Sequence, residues 1–387
     1  MGVRSEGVQM QTRRRSIVAC IAATATMTIT LGLCWPLLAI VLERQGVSPW
    51  LNGLSASAQM VAVLAVMPVA PALIGALGVV RVIAIGIVGM AACMCLLPVF
   101  PNVWAWFPIR FALGLGTELV FIAGDIWINQ LAEERTRGRL IGVYGMFLHG
   151  GFALGPLAII ALGSDDWTAL YLAVAVVLSG LGPLVAARGS APAAEGKPRA
   201  RLPHYVRVAT TLMAAALMFG LIESATEALL PVYGLKKGLD EESAALLLTL
   251  FVLGAVLGQL PAGWLADHIE HRRMLIAGSL TTLVALAALP LTIQVPLLVA
   301  PVMLVMGASL GSFYIVAMTM MGRRYRGAEL IGVNTSFVFV WGLGAAVGPG
   351  LSGSAMHAFG PDGMPALGMV LCAVFLLICL RKDQPGG

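Results

Sequence analysis

The chain has 387 residues, of which 59% are hydrophobic and only 11% charged, and its mean hydropathy is +0.91. Soluble domains carry about a quarter charged residues, so the composition excludes a water-soluble globular protein and identifies an integral membrane protein. The net charge of +5 does not point to nucleic acid, because no basic stretch interleaves with aromatic residues in a soluble segment.

A crossing helix needs roughly 20 predominantly apolar residues. Twelve such stretches follow one another, predicting spans 1 to 12 over 16–42, 51–74, 79–98, 104–128, 139–162, 167–187, 207–233, 243–266, 273–294, 296–320, 329–355 and 363–380. Span 1 follows Arg13-Arg14-Arg15, as a signal peptide would. Its apolar run is about twice a signal h-region and no small-residue cleavage site follows, so it reads as a retained helix. Cys20, Cys34, Cys93, Cys95, Cys372 and Cys379 all fall within spans. Without a Cys-x-x-Cys or a Cys/His cluster, neither disulfides nor zinc is indicated.

Basic residues orient the spans. With the N-terminus in the cytoplasm, only Arg44, Lys236 and Lys237 of the 24 Lys and Arg fall on the far side, and Arg110 lies within the membrane. All the others are cytoplasmic, which satisfies the positive-inside rule. The expected location is a bacterial inner membrane, with both termini cytoplasmic and the protein monomeric.

The longest polar connection, Arg188 to His204, is rich in Ala, Pro, Gly and basic residues and lies near the middle of the chain. It reads as a linker, dividing the protein into 1–187, 188–206 and 207–387. An internal repeat agrees with that division. Leu140-Ile141-Gly142-Val143 recurs as Leu330-Ile331-Gly332-Val333, and Gly151-x-x-x-Gly155-Pro156 is echoed by Gly344-x-x-x-Gly348-Pro349. Two six-helix halves of this kind characterise transporters that rock around a central site.

Several motifs then carry a resemblance that covers nearly the whole chain. After span 8, Gly263-Trp264-Leu265-Ala266-Asp267 precedes Arg272-Arg273; span 4 has Arg110-x-x-x-Gly114-x-Gly116; span 5 has Gly142, Gly151, Gly155 and Pro156. In these features the chain resembles a major facilitator superfamily transporter, with the first motif similar to the cytoplasmic signature, the second to the arginine motif of proton-coupled members and the third to the antiporter motif. The chain also departs from the pattern. Ile159-Ile160 replaces the glycine pair expected after Pro156, and the segment between spans 2 and 3 lacks the signature aspartate and keeps one basic residue, Arg81. His268, Glu270 and His271 form a sparse set that reads as solvated loop charge, with a metal site as the weaker alternative.

Small residues on span 5 let backbones approach closely, and Pro156 removes a donor. The spacing of Gly142, Gly151 and Gly155 predicts a packing surface between the halves. In span 4, Glu118 lies roughly 21 Å along a helix of roughly 36 Å, near the membrane centre. A charge there costs about 2.5–3.5 kcal/mol, so Glu118 must face water, hold a partner or be protonated. A coupling or substrate-binding role follows, with a helix-knitting hydrogen bond as the alternative. Arg110 is roughly 12 Å away along the axis and about 80° round the helix, which argues against a direct pair with Glu118. Asp125, two turns beyond Glu118 near the cytoplasmic end, predicts a gate bridge with Arg81.

In span 7, Glu223 and Glu227 are one turn apart on one face. Like charges so close disfavour joint ionisation, so the pair holds a proton unless a cation lies between them. The competing reading pairs Glu227 with Lys236 or Lys237 at the outer mouth. The resemblance implies that spans 1, 4, 7 and 10 line a cavity, which makes Glu118, Arg110, Glu223 and Glu227 the proton- or substrate-binding candidates. It makes Asp125, Arg81, Asp267, Arg272, Arg273, Gly142, Gly151, Gly155 and Pro156 the conformational ones. Thr26, Thr30, Gln59, His149 and Asn334 are secondary polar candidates. No nucleophile and base set, metal motif or phosphate loop suggests an enzyme or a cofactor. The expected function is proton-coupled efflux of a small amphiphilic molecule, the alternatives being a proton-linked importer and a non-transporting sensor or scaffold on the same fold.

Overall fold

The computed structural model describes residues 2–133, 137–164, 166–187, 210–325 and 327–380. Among these residues no strand occurs, and twelve helices are long and apolar enough to cross a membrane. The protein is an all-α membrane protein with the twelve spans expected. Helix is enforced by the solvent, since hydrocarbon offers no partner for backbone N–H and C=O groups.

Two expected spans are broken. Span 2 was expected to run continuously to residue 74, but its helix is Pro49–Val66 and a short helix, Ala70–Leu77, follows. Pro68 lies in the break and, lacking an N–H, cannot continue the helix by donating to Leu64 O, whereas Pro71 sits in the first turn of the short helix, where no intrahelical donor is needed. Span 6 is divided into Thr168–Ser179 and Leu181–Ala186 at Gly180. A Cβ at Gly180 would lie 2.6 Å from Thr26 Oγ1 of span 1, so the break occurs at a close helix crossing.

Polar ends stop the spans locally. Span 1 ends at Gly46 and span 7 at Gly238, with φ of 73° and 89°. In both, the following residue donates back to close the turn, Val47 to Leu42 O and Leu239 to Gly234 O, each at 3.0 Å. This is the left-handed glycine stop in which the missing Cβ removes the steric cost. Asp240 caps span 8 by accepting from Ser243 N at 3.0 Å.

By internal contact the chain forms two compact units, Met1–Leu37 with Ala62–Lys197, and Leu38–Val61 with Pro198–Gly387. The end of span 1, its turn and the start of span 2 therefore belong with spans 7 to 12. Most of the expected linker lies outside the described residues.

Within the first unit, span 1 crosses span 5 where Gly155 lies against Ile29 O, Gly32 C and Leu33 N. Within the second, span 7 crosses span 11 where Gly344 lies against Leu217 O, Gly220 C and Leu221 N. The register that carries Ile29, Gly32 and Leu33 onto Leu217, Gly220 and Leu221 thus equates Gly155 with Gly344. The sequence echo had aligned Gly155 with Gly348, which is one helical turn too far. The internal repeat is real in three dimensions, with its glycine register shifted by that turn.

Candidate functional site

Span 4, Val103–Leu131, has two different sides. Leu113, Gly116, Val120, Ala123 and Trp127 are buried, whereas Leu115, Glu118, Ile122 and Asp125 form a partly accessible band. The buried side is tight: a Cβ at Gly116 would lie 2.9 Å from Gly86 O and 3.0 Å from Met90 Cγ. The second glycine of the arginine motif is thereby explained as the contact between spans 4 and 3. Arg110 is 2% exposed and sits beside Cys34 of span 1, whose sulfur lies 3.3 Å from Met94 Sδ.

Glu118 is half-buried in the accessible band. Asp125 occupies the same band, two turns on, but its surroundings differ. Tyr144 of span 5 lies beside it, with Thr24 and Cys20 of span 1 nearby. Arg81 is exposed on the first turn of span 3, and among the described residues no ion pair joins it to Asp125. The expected gate bridge is not formed in this conformation, because Asp125 is turned toward spans 1 and 5.

The small residues of span 5 also have a different partner from the one expected. A Cβ at Gly151 would lie 3.1 Å from Ala25 O, and one at Gly155 would lie 2.6 Å from Ile29 O. Both contacts are with span 1 in the same unit, which corrects the expectation of a surface between the halves. Pro156 lies within the helix and cannot donate to Phe152 O, the carbonyl that Gly32 approaches. The missing hydrogen bond and the close crossing coincide, as the removal of a donor by proline requires. The surroundings of Gly142 lie outside the described residues.

Span 7 is the most enclosed of the twelve. Between residues 218 and 234 every position is buried except Glu223 and Glu227. Glu223 Oε2 accepts from Trp341 Nε1 of span 11 at 3.0 Å, which fixes that carboxyl group. The hydroxyls beside the pair are spent on their own helix, Ser224 donating to Gly220 O and Thr226 to Ile222 O, both at 2.7 Å. The two carboxyl groups are therefore the polar face of an otherwise closed helix. The alternative pairing of Glu227 with Lys236 or Lys237 is not seen: Lys236 meets Glu43 at 2.6 Å and Lys237 meets Asp362 at 2.9 Å.

At the signature after span 8, Arg272 donates to Cys379 O at 2.7 Å and to Leu380 O at 3.2 Å, covering the carbonyls at the end of span 12. A cation at a helix C-terminus meets carbonyls that have no intrahelical donor. Arg273 pairs with Glu270 at 3.1 Å on the exposed loop, and His268 stacks on Trp264 with ring centroids 4.5 Å apart. The side chain of Asp267 lies outside the described residues.

Sequence reasoning overlooked Trp341, whose role becomes visible only once the crossing of spans 7 and 11 is known. It also overlooked an ion pair in the second unit, in which Arg44 binds both carboxylate oxygens of Glu241. The signal available for that pair was the position of two charged residues at the polar ends of neighbouring apolar spans. Thr26, Thr30 and His149 bond to backbone carbonyls of their own helices, and Thr30 also reaches Ala173 O of span 6 at 3.2 Å, in keeping with structural roles.

Comparison with known proteins agrees with this geometry. The family model described as Major Facilitator Superfamily matches residues 18–245 and 212–387. The chain is 22% identical over 375 residues to the uncharacterized MFS-type transporter YcaD of Shigella flexneri, covering 96% of this chain and 97% of that protein; the protein of the same name from Escherichia coli strain SMS-3-5 matches equally. Among solved structures, a variant of the nucleoside transporter NupG superposes with a TM-score of 0.82 at 12% identity, covering 95% of this chain and 100% of that one. A bacterial homolog of the human lysosomal transporter Spinster superposes with a TM-score of 0.76 at 14% identity, covering 97% and 99%. The chain belongs to the Major Facilitator Superfamily and is a multi-pass membrane transporter.

Proposed function

We propose that this transporter exports a small amphiphilic cation from the cytoplasm across a bacterial inner membrane, in exchange for protons and by alternating access, as a monomer with both termini cytoplasmic. The observation that supports this reading most is the placement of carboxyl groups. Within the spans, Glu118 lies on the partly accessible band of span 4, and Glu223 and Glu227 are the half-buried positions of an otherwise closed stretch of span 7.

Each carboxyl group in such a place has a task that a neutral side chain cannot perform. It attracts a cation when ionised and releases it when protonated, which is the competition that exchange requires. Glu223 is held by Trp341 and keeps a defined position, whereas among the described residues Glu227, one turn further on, has no such anchor from span 11. Like charges at that separation oppose joint ionisation, so a cation and a proton are alternative occupants of the pair. Arg110 is buried away from the accessible band, and its proposed role is to set the field around span 4. Asp125 and Arg81 are proposed to meet only in another conformation of the cycle.

The test is transport in proteoliposomes with an imposed pH gradient against a panel of organic cations, comparing wild type with Glu118→Gln. Outward cation movement driven by inward proton flow, lost or uncoupled in Glu118→Gln, supports the reading. Uptake that runs only downhill and ignores the pH gradient sinks it.

A further inference from the structure

The internal repeat identifies a residue that neither the motifs nor the carboxyl groups reveal. Extending the register in which Gly32 matches Gly220 places Trp35 of span 1 at the position held by Glu223 in span 7. The partner helices follow the same register: Gly32 approaches Phe152 O and Gly220 approaches Trp341 O. Phe152 in the first unit therefore matches Trp341 in the second.

The two crossings carry different chemistry on one frame. In the second unit Trp341 donates to Glu223. In the first, the rings of Trp35 and Phe152 meet edge-on, with centroids 5.3 Å apart and an interplanar angle of 78°. From residue 30 to residue 40 every side chain of span 1 is buried except Trp35. Span 1 thus repeats part of the pattern of span 7, a closed helix that presents Glu223 at the matching position and Glu227 one turn further on. The indole N–H of Trp35 also has no acceptor among the described residues, although it is shut away from solvent. A buried donor without an acceptor is costly, and tight core packing alone would not select tryptophan over phenylalanine or leucine there.

We propose that Trp35 contacts the transported molecule and selects for an organic cation, offering its ring face to the positive charge while Phe152 holds the ring in place. This rests on the transport reading above and adds a specificity residue to it. The attraction between a cation and an indole face grows when water is excluded, and a ring braced on its edge loses little freedom on binding. The carboxyl groups supply charge without shape. A tryptophan supplies a flat, polarisable surface that distinguishes a delocalised cation from a compact, strongly hydrated one.

The experiment measures binding of tetraphenylphosphonium to the purified full-length protein in lipid nanodiscs, for wild type, Trp35→Phe and Trp35→Leu, with thermal melting as the control for folding. The expected weakening is about 5- to 30-fold for Trp35→Leu and distinctly less for Trp35→Phe, which keeps a ring. Should Trp35→Leu not fold, the Trp35→Phe protein carries the test through a reduced discrimination between tetraphenylphosphonium and the compact, strongly hydrated methylammonium ion, because the smaller ring keeps only part of the aromatic face. Wild-type affinity in a folded Trp35→Leu protein, or unchanged discrimination in Trp35→Phe, overturns the contact. If Glu223→Gln loses binding in the same assay, the transport reading survives that outcome. Failure of the wild-type protein to bind tetraphenylphosphonium overturns the proposed selectivity, and proton-driven flux of another compound in liposomes then judges the transport reading separately.

Discussion

Substituting Gly155 by alanine tests the crossing of spans 1 and 5 directly. The added Cβ would lie 2.6 Å from Ile29 O and closer still to Gly32 C and Leu33 N. Every one of these is a backbone atom, so no side chain can rotate away. Ordinary carbon contact begins near 3.4 Å, and the helices must separate by about 0.8 Å or more to accept the methyl group. Overpacking of that kind costs about 1–3 kcal/mol. The control is Gly145→Ala on the same helix, where an added Cβ meets nothing within 4 Å and alanine is the better helix former by about 1 kcal/mol in soluble hosts. Melting of the purified proteins in detergent should therefore place Gly155→Ala several degrees below wild type and Gly145→Ala at or above it. Gly344→Ala, with its Cβ 3.0 Å from Leu221 N, should fall on the same side as Gly155→Ala if the two units repeat one crossing. Equal melting of Gly155→Ala and Gly145→Ala would refute the close approach of spans 1 and 5.

Three further outcomes are expected. A double-mutant cycle on Arg44 and Glu241, whose side chains are 35% and 26% exposed, should give a coupling of about 0.5 kcal/mol that vanishes in about 1 M salt; coupling that persists there would mean the pair is far less hydrated than its exposure implies. Asp240 is held below the usual carboxylate range by its hydrogen bonds to Ser243. Because its ionised form is the one favoured by folding, the stability difference between wild type and Asp240→Ala should be constant near neutrality and shrink as the pH falls below about 4. A difference that grows on acidification would contradict the cap. Replacing Trp341 by phenylalanine removes the donor to Glu223 without emptying the crossing. The pH profile of flux in proteoliposomes should shift while melting changes little, and an unshifted profile would count against a role for the Trp341–Glu223 contact in proton coupling.

The membrane class, the twelve spans and the intramembrane carboxyl groups were all legible in the sequence, for one reason. Hydrocarbon forces every crossing segment to be apolar and helical, and a charge inside it stands out against that background. The breaks in spans 2 and 6 were less legible, although Pro68, Pro71 and Gly180 mark them. An apolar run measures suitability for lipid, and it continues through a proline that the backbone hydrogen bonds do not.

What only the tertiary structure decided was the set of partners. Gly151 and Gly155 signalled close packing in the sequence, but a small residue does not name the helix that approaches it, and the approaching helix proved to be span 1. Asp125 and Arg81 looked matched by depth, and depth along an axis says nothing of the direction in which a side chain turns. Glu223 stood out by its charge, whereas the tryptophan that holds it lies 118 residues away. Local sequence therefore determined which segments enter the membrane and which polar groups they carry there. The crossings, each set by contact between residues remote in the chain, decided which of those groups are fixed and which remain open.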